Sequence, residues 1–592
     1  METETQLPAV DPKKAVHWRI LRTWPALMLV GLMVIIRLSP NLFEEKPLIL
    51  VIASVVGPMG CCVFILIWWL TASRATGREK LVGFFGVIIT FIIATGLIDP
   101  SMRGSGFMFP MGPMGIAGFA IGATLFRRNL SFRRTWLALL LAFLGFGASA
   151  FVRNSGMSGD YALKLHWRWT ASPEEIMLAD KSATDNATPT AANEIASIEA
   201  AVAHPEWPGF RGADRTATHR GPAISSNWDT NPPELLWKIP VGPGWSSFAV
   251  AGDYLFTQEQ RGPMETVVCY HADTGREIWA SGVESRFFDP LGGPGPRATP
   301  TLAEGGLFAQ STEGWLMRLA PATGEIVWKQ DLRQVADRKP PQWGFSSSPL
   351  VTGSVVIVHA GGAGDKGTLA FDIKSGDLRW SAASGDHSYS SPQLTTILGE
   401  ETVLMLTNRG IELLDPESGV SRLDYDWLAN SYRSIQPAVI GDESILLPTG
   451  MNIGTRRIRI SKEGEKFAGE EMWTSRHLKP DFNDCVIYEG HAYGFDASIF
   501  TCIDLETGER SWKGGRYGKG QVLLLETSGL LLIAAEQGEI VLLRATPEAH
   551  TELTRFQAIE GKTWNHPVVI GERLYVRNAQ EAACYLLPMT TP

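Results

Sequence analysis

The sequence predicts an N-terminal α-helical membrane domain of five spans followed by an all-β, eight-bladed propeller that an N-terminal strand closes in the last blade. Three observations lead to this fold class. The first quarter of the chain is strongly apolar, a strand-turn-strand phrase recurs through the remainder, and the two ends of that repeat array differ in phase. A phrase that returns every 40 to 50 residues or so is typical of a radial or stacked array.

Length and composition set the outer limits. A chain of 592 residues is too long for one ordinary core, so at least two domains are expected. The net charge of −9 gives no reason to propose a nucleic-acid partner. The six cysteines show no zinc-ligand spacing, and the vicinal pair Cys61 and Cys62 lies in an apolar stretch.

The membrane domain is expected at 23–152, after a cytoplasmic tail at 1–22. Basic residues cluster before the first apolar stretch and after the second and fourth, which places the N-terminus in the cytoplasm and the chain after residue 153 outside. The expected location is a bacterial inner membrane with a periplasmic propeller. Spans two to five lack charged side chains, which favours an anchor over a transporter. The five apolar stretches lie at about 23–40, 47–72, 81–98, 107–126 and 135–152.

Residues 153–205 form a linker in this interpretation. It contains a low-complexity segment, Ala183 to Ala192, and is expected to be partly disordered. The propeller domain then covers 206–592 and begins at the turn-rich segment Glu206 to Gly212.

Each repeat divides into four strands, A to D, and the first and last repeats of the array are incomplete. The array begins with a lone D strand, Leu235 to Ile239, and ends with an A-B-C set that lacks a D strand, so pairing the two would close the ring. The eight D-strand aromatics are Trp237, Trp279, Trp328, Trp380, Tyr425, Trp473, Trp512 and Phe556.

The turn between strands C and D has a physical explanation. Gly takes a positive φ angle, and the Asp or Thr side chain hydrogen-bonds the turn backbone. Cys269 and Cys502 occupy the same position of the repeat, which predicts small buried core residues and not a redox pair. The clearest copies of the phrase are Ala272–Trp279, Pro321–Trp328, Asp372–Trp380 and Asp504–Trp512.

The Asp-x-x-Thr-Gly-x-x-x-Trp phrase resembles the repeats of the pyrroloquinoline-quinone (PQQ) propellers. That superfamily includes quinoprotein alcohol and sugar dehydrogenases, and also the outer-membrane assembly propeller lipoprotein, whose relatives keep the fold without the cofactor. The five-span anchor resembles the plan of membrane-bound quinoprotein glucose dehydrogenase. This chain departs from the enzymes because its blades are short and its propeller has neither a vicinal cysteine pair nor a Cys-x-x-Cys-His motif.

The starts of the A strands line the mouth of a propeller channel, so polar residues there are the candidate site. If the resemblance extends to the cofactor, cationic side chains would pair with the three PQQ carboxylates and a tryptophan would stack on its ring. Asn483 and Asp484 would bind Ca²⁺, and Asp484 or Asp481 would be the catalytic base. The candidate cofactor-binding residues are Arg297, Arg433, Lys519, Trp245, Trp343, Trp564 and His566.

Two functions remain open at this stage. The first is a membrane-anchored periplasmic scaffold that binds a protein or a small molecule at the propeller mouth, in envelope assembly for example, with no certain cofactor. The second is a PQQ- and calcium-dependent dehydrogenase that oxidises an alcohol or a sugar and passes electrons to the membrane quinone pool. The same rim residues would also suit a non-quinone anion or a peptide.

Overall fold

The computed structural model describes residues 20–43, 48–103, 111–159, 163–184, 191–429, 432–451, 453–464 and 466–590. The chain divides into two compact units. The first comprises Met1–Gly156 with Leu163–Thr170, and the second comprises Met157–Ala162 with Ala171–Pro592. The first is helical and the second is a β-propeller.

The helices of the first unit are formed by long apolar runs. Among the described residues, four helical segments are long and apolar enough to cross a membrane: Trp24–Leu42, Ile52–Thr71, Gly77–Leu97 and Phe132–Phe151. The fifth stretch expected from the sequence is represented by a shorter apolar helix, Gly112–Leu125, and residues 104–110 lie outside the described residues. The α-helices of the described residues are α1 Trp24–Leu38, α2 Leu48–Thr71, α3 Gly77–Leu97, α4 Gly112–Leu125, α5 Ser131–Gly147, α6 Pro173–Thr184, α7 Ala192–Ala201 and the short α8 Leu332–Val335.

Helices α3 and α5 begin earlier than the apolar stretches, and this brings a buried ion pair into the helical unit. Arg134 donates two hydrogen bonds to the Glu79 carboxylate, at 2.8 and 3.0 Å. The side chains are 3% and 0% exposed. Glu79 also closes a capping box with Thr76 at the start of α3.

The linker expected at 153–205 contains regular structure in its described part. Strands Val152–Met157 and Leu163–Trp167 form a two-stranded sheet, and helices α6 and α7 follow. Helix α6 is held to the propeller by Glu174, which accepts a hydrogen bond from the backbone N–H of Gly262 at 2.8 Å. Most of the low-complexity segment, 185–190, lies outside the described residues.

The second unit has eight blades, as the repeat count predicts. Seven blades are antiparallel sheets of four consecutive strands, and blade 7 is extended by Thr218–His219, which pairs in parallel with its strand A. In blade 8 the fourth strand is Glu234–Pro240, where Trp237 lies opposite Cys584. The strands of blades 1 to 4 are Ala249–Ala251, Tyr254–Arg261, Met264–His271 and Glu277–Glu284; Thr301–Ala303, Gly306–Gln310, Trp315–Leu319 and Ile326–Asp331; Leu350–Thr352, Val355–His359, Thr368–Asp372 and Leu378–Ala382; Gln393–Ile397, Glu400–Leu406, Gly410–Leu414 and Ser421–Asp426. Those of blades 5 to 8 are Ala438–Ile440, Ser444–Thr449, Gly454–Glu463 and Lys466–Ser475; Val486–Tyr488, His491–Asp496, Ile499–Asp504 and Arg510–Arg516; Gln521–Leu525, Leu530–Ala534, Glu539–Arg544 and Glu552–Gln557; Val568–Ile570, Arg573–Arg577, Glu581–Leu586 and Glu234–Pro240.

The turn glycine and the closing tryptophan of the repeat meet across neighbouring blades. Trp279 of blade 1 donates its indole N–H to the carbonyl oxygen of Pro321 in blade 2, at 2.9 Å. Gly324 follows with φ of 73°, and a Cβ atom there would lie 2.4 Å from the Trp279 ring. The glycine is therefore required both by its backbone conformation and by the close approach of the ring.

In two blades the aromatic that ends strand D is not the residue at this position. Every tryptophan of the set directly follows the bulge on strand D, and in blades 4 and 7 that position is occupied by Leu423 and Thr554. Tyr425 and Phe556 lie on strand D of these blades, as predicted, but two residues beyond the position that the tryptophans occupy. Residues two apart on a strand share a face, and the bulge has no sequence mark. Cys269 and Cys502 are buried core residues, as predicted.

Buried glutamates in two blades make the stability of the propeller depend on pH. Glu412 accepts hydrogen bonds from the backbone N–H of Gly385 and the hydroxyl of Thr407, both at 3.2 Å. Burial raises the pKa of Glu412 from 4.5 to about 8 and that of Glu265 from 4.5 to about 7. A raised acid pKa means that the folded protein retains protons that the unfolded chain has lost. Stability is therefore greatest at or below the unfolded pKa and falls as pH rises through the folded pKa.

Replacing Glu412 with Gln is expected to remove part of this pH dependence. The amide keeps an acceptor for Gly385 and has no charge to bury, so the free energy of unfolding should rise by about 1–2 kcal/mol near pH 9 and change little near pH 5. Chemical denaturation at the two pH values measures the effect. Glu417→Gln, at an exposed site of the same blade, is the control, and equal behaviour of the two variants would contradict the assignment.

Candidate functional site

Polar side chains just before the A strands, and at the first A-strand residue in blade 7, form a ring around the propeller axis. The backbone N–H of Ser247 donates to the hydroxyl of Thr299, that of Thr299 to Ser348, and that of Ser348 to Ser391, each at 2.9 Å. This explains the recurring Ser/Thr-Pro sequence, because each hydroxyl joins one blade to the next. The eight members are Ser247, Thr299, Ser348, Ser391, Gln436, Asp484, Gln521 and His566.

The turn-rich segment Trp207–His219 crosses the channel. Its backbone and side chains bond to blades on several sides of the ring, including Val250 in blade 1 and Leu524 in blade 7. Arg215 donates to the carbonyl oxygen of Pro349 before blade 3, at 2.7 Å. A segment held by blades so far apart in the ring closes the channel at one end, and we call it the plug.

Arg211 of the plug is joined to the polar ring through Asp484. The guanidinium lies 3.5 Å from the Asp484 carboxylate and donates to the carbonyl oxygen of Cys485 at 2.9 Å. The same carboxylate accepts the backbone N–H of Gln436 at 2.5 Å and lies 3.2 Å from Nε2 of His566. Burial opposes the ionisation of Asp484, but the Arg211 charge and the His566 hydrogen bond outweigh it and lower the Asp484 pKa. Burial lowers the pKa of His566, so its ring is neutral at pH 7.

A cavity of about 230 Å³ lies above the plug, and every one of the eight linkers between blades contributes to its wall. Phe210 of the plug also lines it and contacts the His566 ring edge-on, with centroids 5.0 Å apart. Residues Met157 to Gly159 reach it from the other side: Met157 donates its N–H to Leu291 at 2.7 Å and accepts from Lys562 at 2.9 Å. The cavity is therefore covered at one end by the plug and bordered by the 157–159 segment.

Aromatic side chains form two groups in the cavity wall. Trp245 and Trp564 have ring centroids 4.9 Å apart, and Phe482 contacts Trp564 at 4.7 Å. In the second group, Trp343 contacts Tyr432 at 4.2 Å and Tyr389 at 5.2 Å. The first group comes mainly from the linkers that flank blade 8 and the second from those that flank blades 3 and 4, so by ring order the two groups face each other.

Charged side chains fill the remaining two sectors, and each is paired. Arg297 forms an ion pair with Asp289 before blade 2, and Lys519 forms one with Asp481 on the opposite side. Burial lowers the pKa of Arg297, although the Asp289 charge opposes this shift.

Most of the residues expected from the sequence meet in this cavity. Arg433 does not line it: its side chain is 1% exposed and donates to the carbonyl oxygens of Thr407 and Trp427, at 2.6 and 2.5 Å. Asn483 is fully buried behind the wall. The residues that do line the cavity are Arg297, Lys519, Trp245, Trp343, Trp564, His566, Asp481 and Asp484.

This donor set does not fit a calcium ion with PQQ. Asp484, the central oxygen ligand in the calcium hypothesis, already has Arg211 beside it and two hydrogen-bond donors on its oxygens. Arg297 and Lys519 already have carboxylate partners in the protein. Neither is therefore an unpaired cation for the three carboxylates of PQQ. Across the described residues, no group of three or more His, Cys, Asp or Glu is placed to hold a metal ion.

Several lining residues were not predicted. Tyr432 adjoins the predicted Arg433, and Asp289 is turned toward Arg297 by a small hairpin in which Phe288–Asp289 pairs with Gly293–Pro294. Phe210 lies in the turn-rich segment that was assigned only as the domain start. No sequence pattern predicts that residues 157–159 line the cavity, because their position depends on the folded ring.

The fold and the repeats define an eight-bladed β-propeller. A family model described as "Outer membrane protein assembly factor BamB" matches residues 226–337 and 263–514. No curated protein matches the chain.

Solved structures with a similar fold include two dehydrogenases and BamB. The quinohemoprotein alcohol dehydrogenase from Comamonas testosteroni is 12% identical, with a TM-score of 0.47 over 68% of this chain and 85% of that one. BamB from Moraxella catarrhalis is 16% identical, with a TM-score of 0.43 over 60% of this chain and 100% of that one. A europium-containing methanol dehydrogenase is 11% identical, with a TM-score of 0.40 over 67% of this chain and 100% of that one.

Proposed function

We propose that this protein is a membrane-anchored binding module whose propeller holds a ligand in the central cavity. In this proposal the apolar helices, including the shorter Gly112–Leu125 as a fifth span, anchor the chain in a bacterial inner membrane. The N-terminus is cytoplasmic and the propeller is periplasmic. The Glu234–Pro240 strand closes the ring, so the cavity wall is continuous. The BamB description of the matching family model supports a role with protein partners in envelope assembly.

One observation carries the binding role. All eight linkers converge on one aromatic-lined cavity whose charged groups are already neutralised by each other. Concave, mostly apolar sites with a few oriented polar groups are typical of ligand pockets. Such a site can bind and orient a ligand, while the Asp484 carboxylate that a quinoprotein would use as base is occupied by Arg211, Gln436 and His566.

A titration with PQQ and Ca²⁺ tests this proposal against the dehydrogenase alternative. The full chain in detergent micelles is expected to show no PQQ-dependent oxidation of alcohols or sugars in a dye-linked assay. Tryptophan fluorescence should likewise show no saturable response to PQQ, although three tryptophans line the cavity. PQQ-dependent turnover that is lost in Asp481→Asn and in Asp484→Asn would overturn the binding proposal in favour of a dehydrogenase.

A further inference from the structure

The charged side chains that line the cavity each have a partner of opposite charge. Beyond the two wall pairs, Glu536 accepts hydrogen bonds from the indole N–H of Trp564 at 3.1 Å and from the backbone of Lys519 at 3.1 Å. The Lys562 ammonium lies over the Trp564 and Trp245 rings, 4.1 and 4.7 Å from their centroids. The three pairs are Arg297 with Asp289, Lys519 with Asp481, and Arg211 with Asp484.

A cavity whose charged side chains are already paired selects against a charged ligand. An anion would have to compete with Asp289 for Arg297 or with Asp481 for Lys519, and a cation would face the same competition for the carboxylates. Separating a buried ion pair leaves a desolvated charge without its partner, which is strongly unfavourable. The ligand that leaves both pairs intact is uncharged.

The positions of the aromatic and polar groups indicate the shape of that ligand. Tyr432 lies four blades from Trp245, and Tyr389 lies four blades from Trp564, so aromatic surface covers two opposite sides. The other two sides present the Arg297 and Lys519 pairs, which offer donors and acceptors together. A flat ring with two apolar faces and a polar edge matches this alternation.

The polar edge of the ligand has to both donate and accept hydrogen bonds. Each wall ion pair presents N–H donors beside carboxylate oxygens, and serine hydroxyls such as Ser348 and Ser391 add groups that do both. Gln521 and His566 also line the cavity, and their Oε1 and Nδ1 atoms are buried without a hydrogen-bond partner among the described residues. A hydroxyl group satisfies either kind of site, whereas a quinone offers acceptors only.

We propose that the cavity binds an uncharged saccharide ring, with its C–H faces against the two aromatic groups and its hydroxyl groups toward the ion pairs. This inference rests on the proposed binding function and names the class of ligand. The saccharide would lie where a quinoprotein would hold its cofactor, and the protein would bind it without changing it.

Binding of the full chain in detergent to an array of immobilised neutral and acidic glycans, followed by calorimetry with the best soluble neutral oligosaccharide, tests this inference. Binding is expected to be confined to neutral glycans. Trp343→Leu and Trp564→Leu, one from each aromatic group, should each weaken it at least about tenfold. Trp315→Leu is the matched control, because Trp315 is a half-buried tryptophan of blade 2 that lies under Lys329 and Arg333, outside the cavity.

A charge variant tests the balance argument separately. Asp481→Asn removes the partner of Lys519, so this variant should gain binding to uronic-acid glycans that the parent protein does not retain. Absence of glycan binding, preference of the parent for acidic glycans, or equal effects of Trp343→Leu and Trp315→Leu would each overturn the saccharide inference. Those results leave the binding function standing for another ligand class, whereas PQQ-dependent turnover would remove both.

Discussion

Replacing Arg211 with Met is expected to lower the free energy of unfolding of the propeller by about 3–5 kcal/mol, the cost of breaking a buried ion pair by removing one partner. The Asp484 carboxylate, 1% exposed, would lose its cation. The backbone carbonyl groups of Arg215, Thr216 and Cys485 would lose a donor at the same time. Because Arg211 joins the plug to the polar ring, the variant should also loosen the floor of the cavity.

Denaturant unfolding of the full chain, followed by tryptophan fluorescence, measures this effect. Arg220→Met is the matched control in the same stretch of chain: Arg220 pairs with Asp214 and Glu526, but its side chain is 56% exposed. Exposed pairs contribute about 0–1 kcal/mol, so this control should unfold close to the parent. In the double variant Arg211→Met/Asp484→Leu, part of the lost stability should return, since neither charge remains buried alone. Arg211→Met and Arg220→Met unfolding alike would show that the plug is not held in this way.

Replacing Glu79 with Ala is expected to destabilise the helical unit by a similar amount, about 3–5 kcal/mol. Arg134 would keep a buried guanidinium without its carboxylate. The change also removes the capping box at the start of α3, where the N–H of Thr76 donates to Glu79 at 2.9 Å. The two losses act on the same helix end and should not be separable by this variant alone.

Detergent-induced unfolding monitored by the helical circular-dichroism signal reports mainly on this unit, because it contains the five long helices α1 to α5. Arg133→Ala is the control, since Arg133 is the neighbouring residue on α5 and is exposed. Glu79→Gln, which keeps an acceptor without the charge, should be intermediate. If Glu79→Ala and Arg133→Ala unfold at the same detergent concentration, the ion pair does not stabilise the helical unit.

The repeats were predictable because their information is local. The turn glycine, the Asp or Thr before it and the tryptophan after it lie within nine residues, and the eight blades follow from counting them. The same reasoning placed Tyr425 and Phe556 on strand D but did not show that they lie two residues beyond the tryptophan position, because the bulge that sets the register of strand D is a property of paired strands. The apolar helices were also recognised from composition, although α3 and α5 extend to include Glu79 and Arg134.

The candidate site was predictable only as a region. The mouth of a propeller collects the linkers between blades, so Trp245, Trp343, Trp564, Asp481 and Lys519 were placed together from the repeat alone. Which residue of a linker faces the cavity depends on its packing against the neighbouring blade, and for this reason Arg433 and Asn483 lie behind the wall.

By itself, the sequence determined that this protein has an apolar helical part and a ring of eight β-blades with a polar, aromatic mouth. Only the tertiary structure decided what that mouth can hold. The partners that neutralise its charges are far apart in the chain, as Arg211 and Asp484 or Asp481 and Lys519 show. Local patterns encode turns and strands over a few residues, whereas charge balance depends on contacts that exist only after the ring has formed.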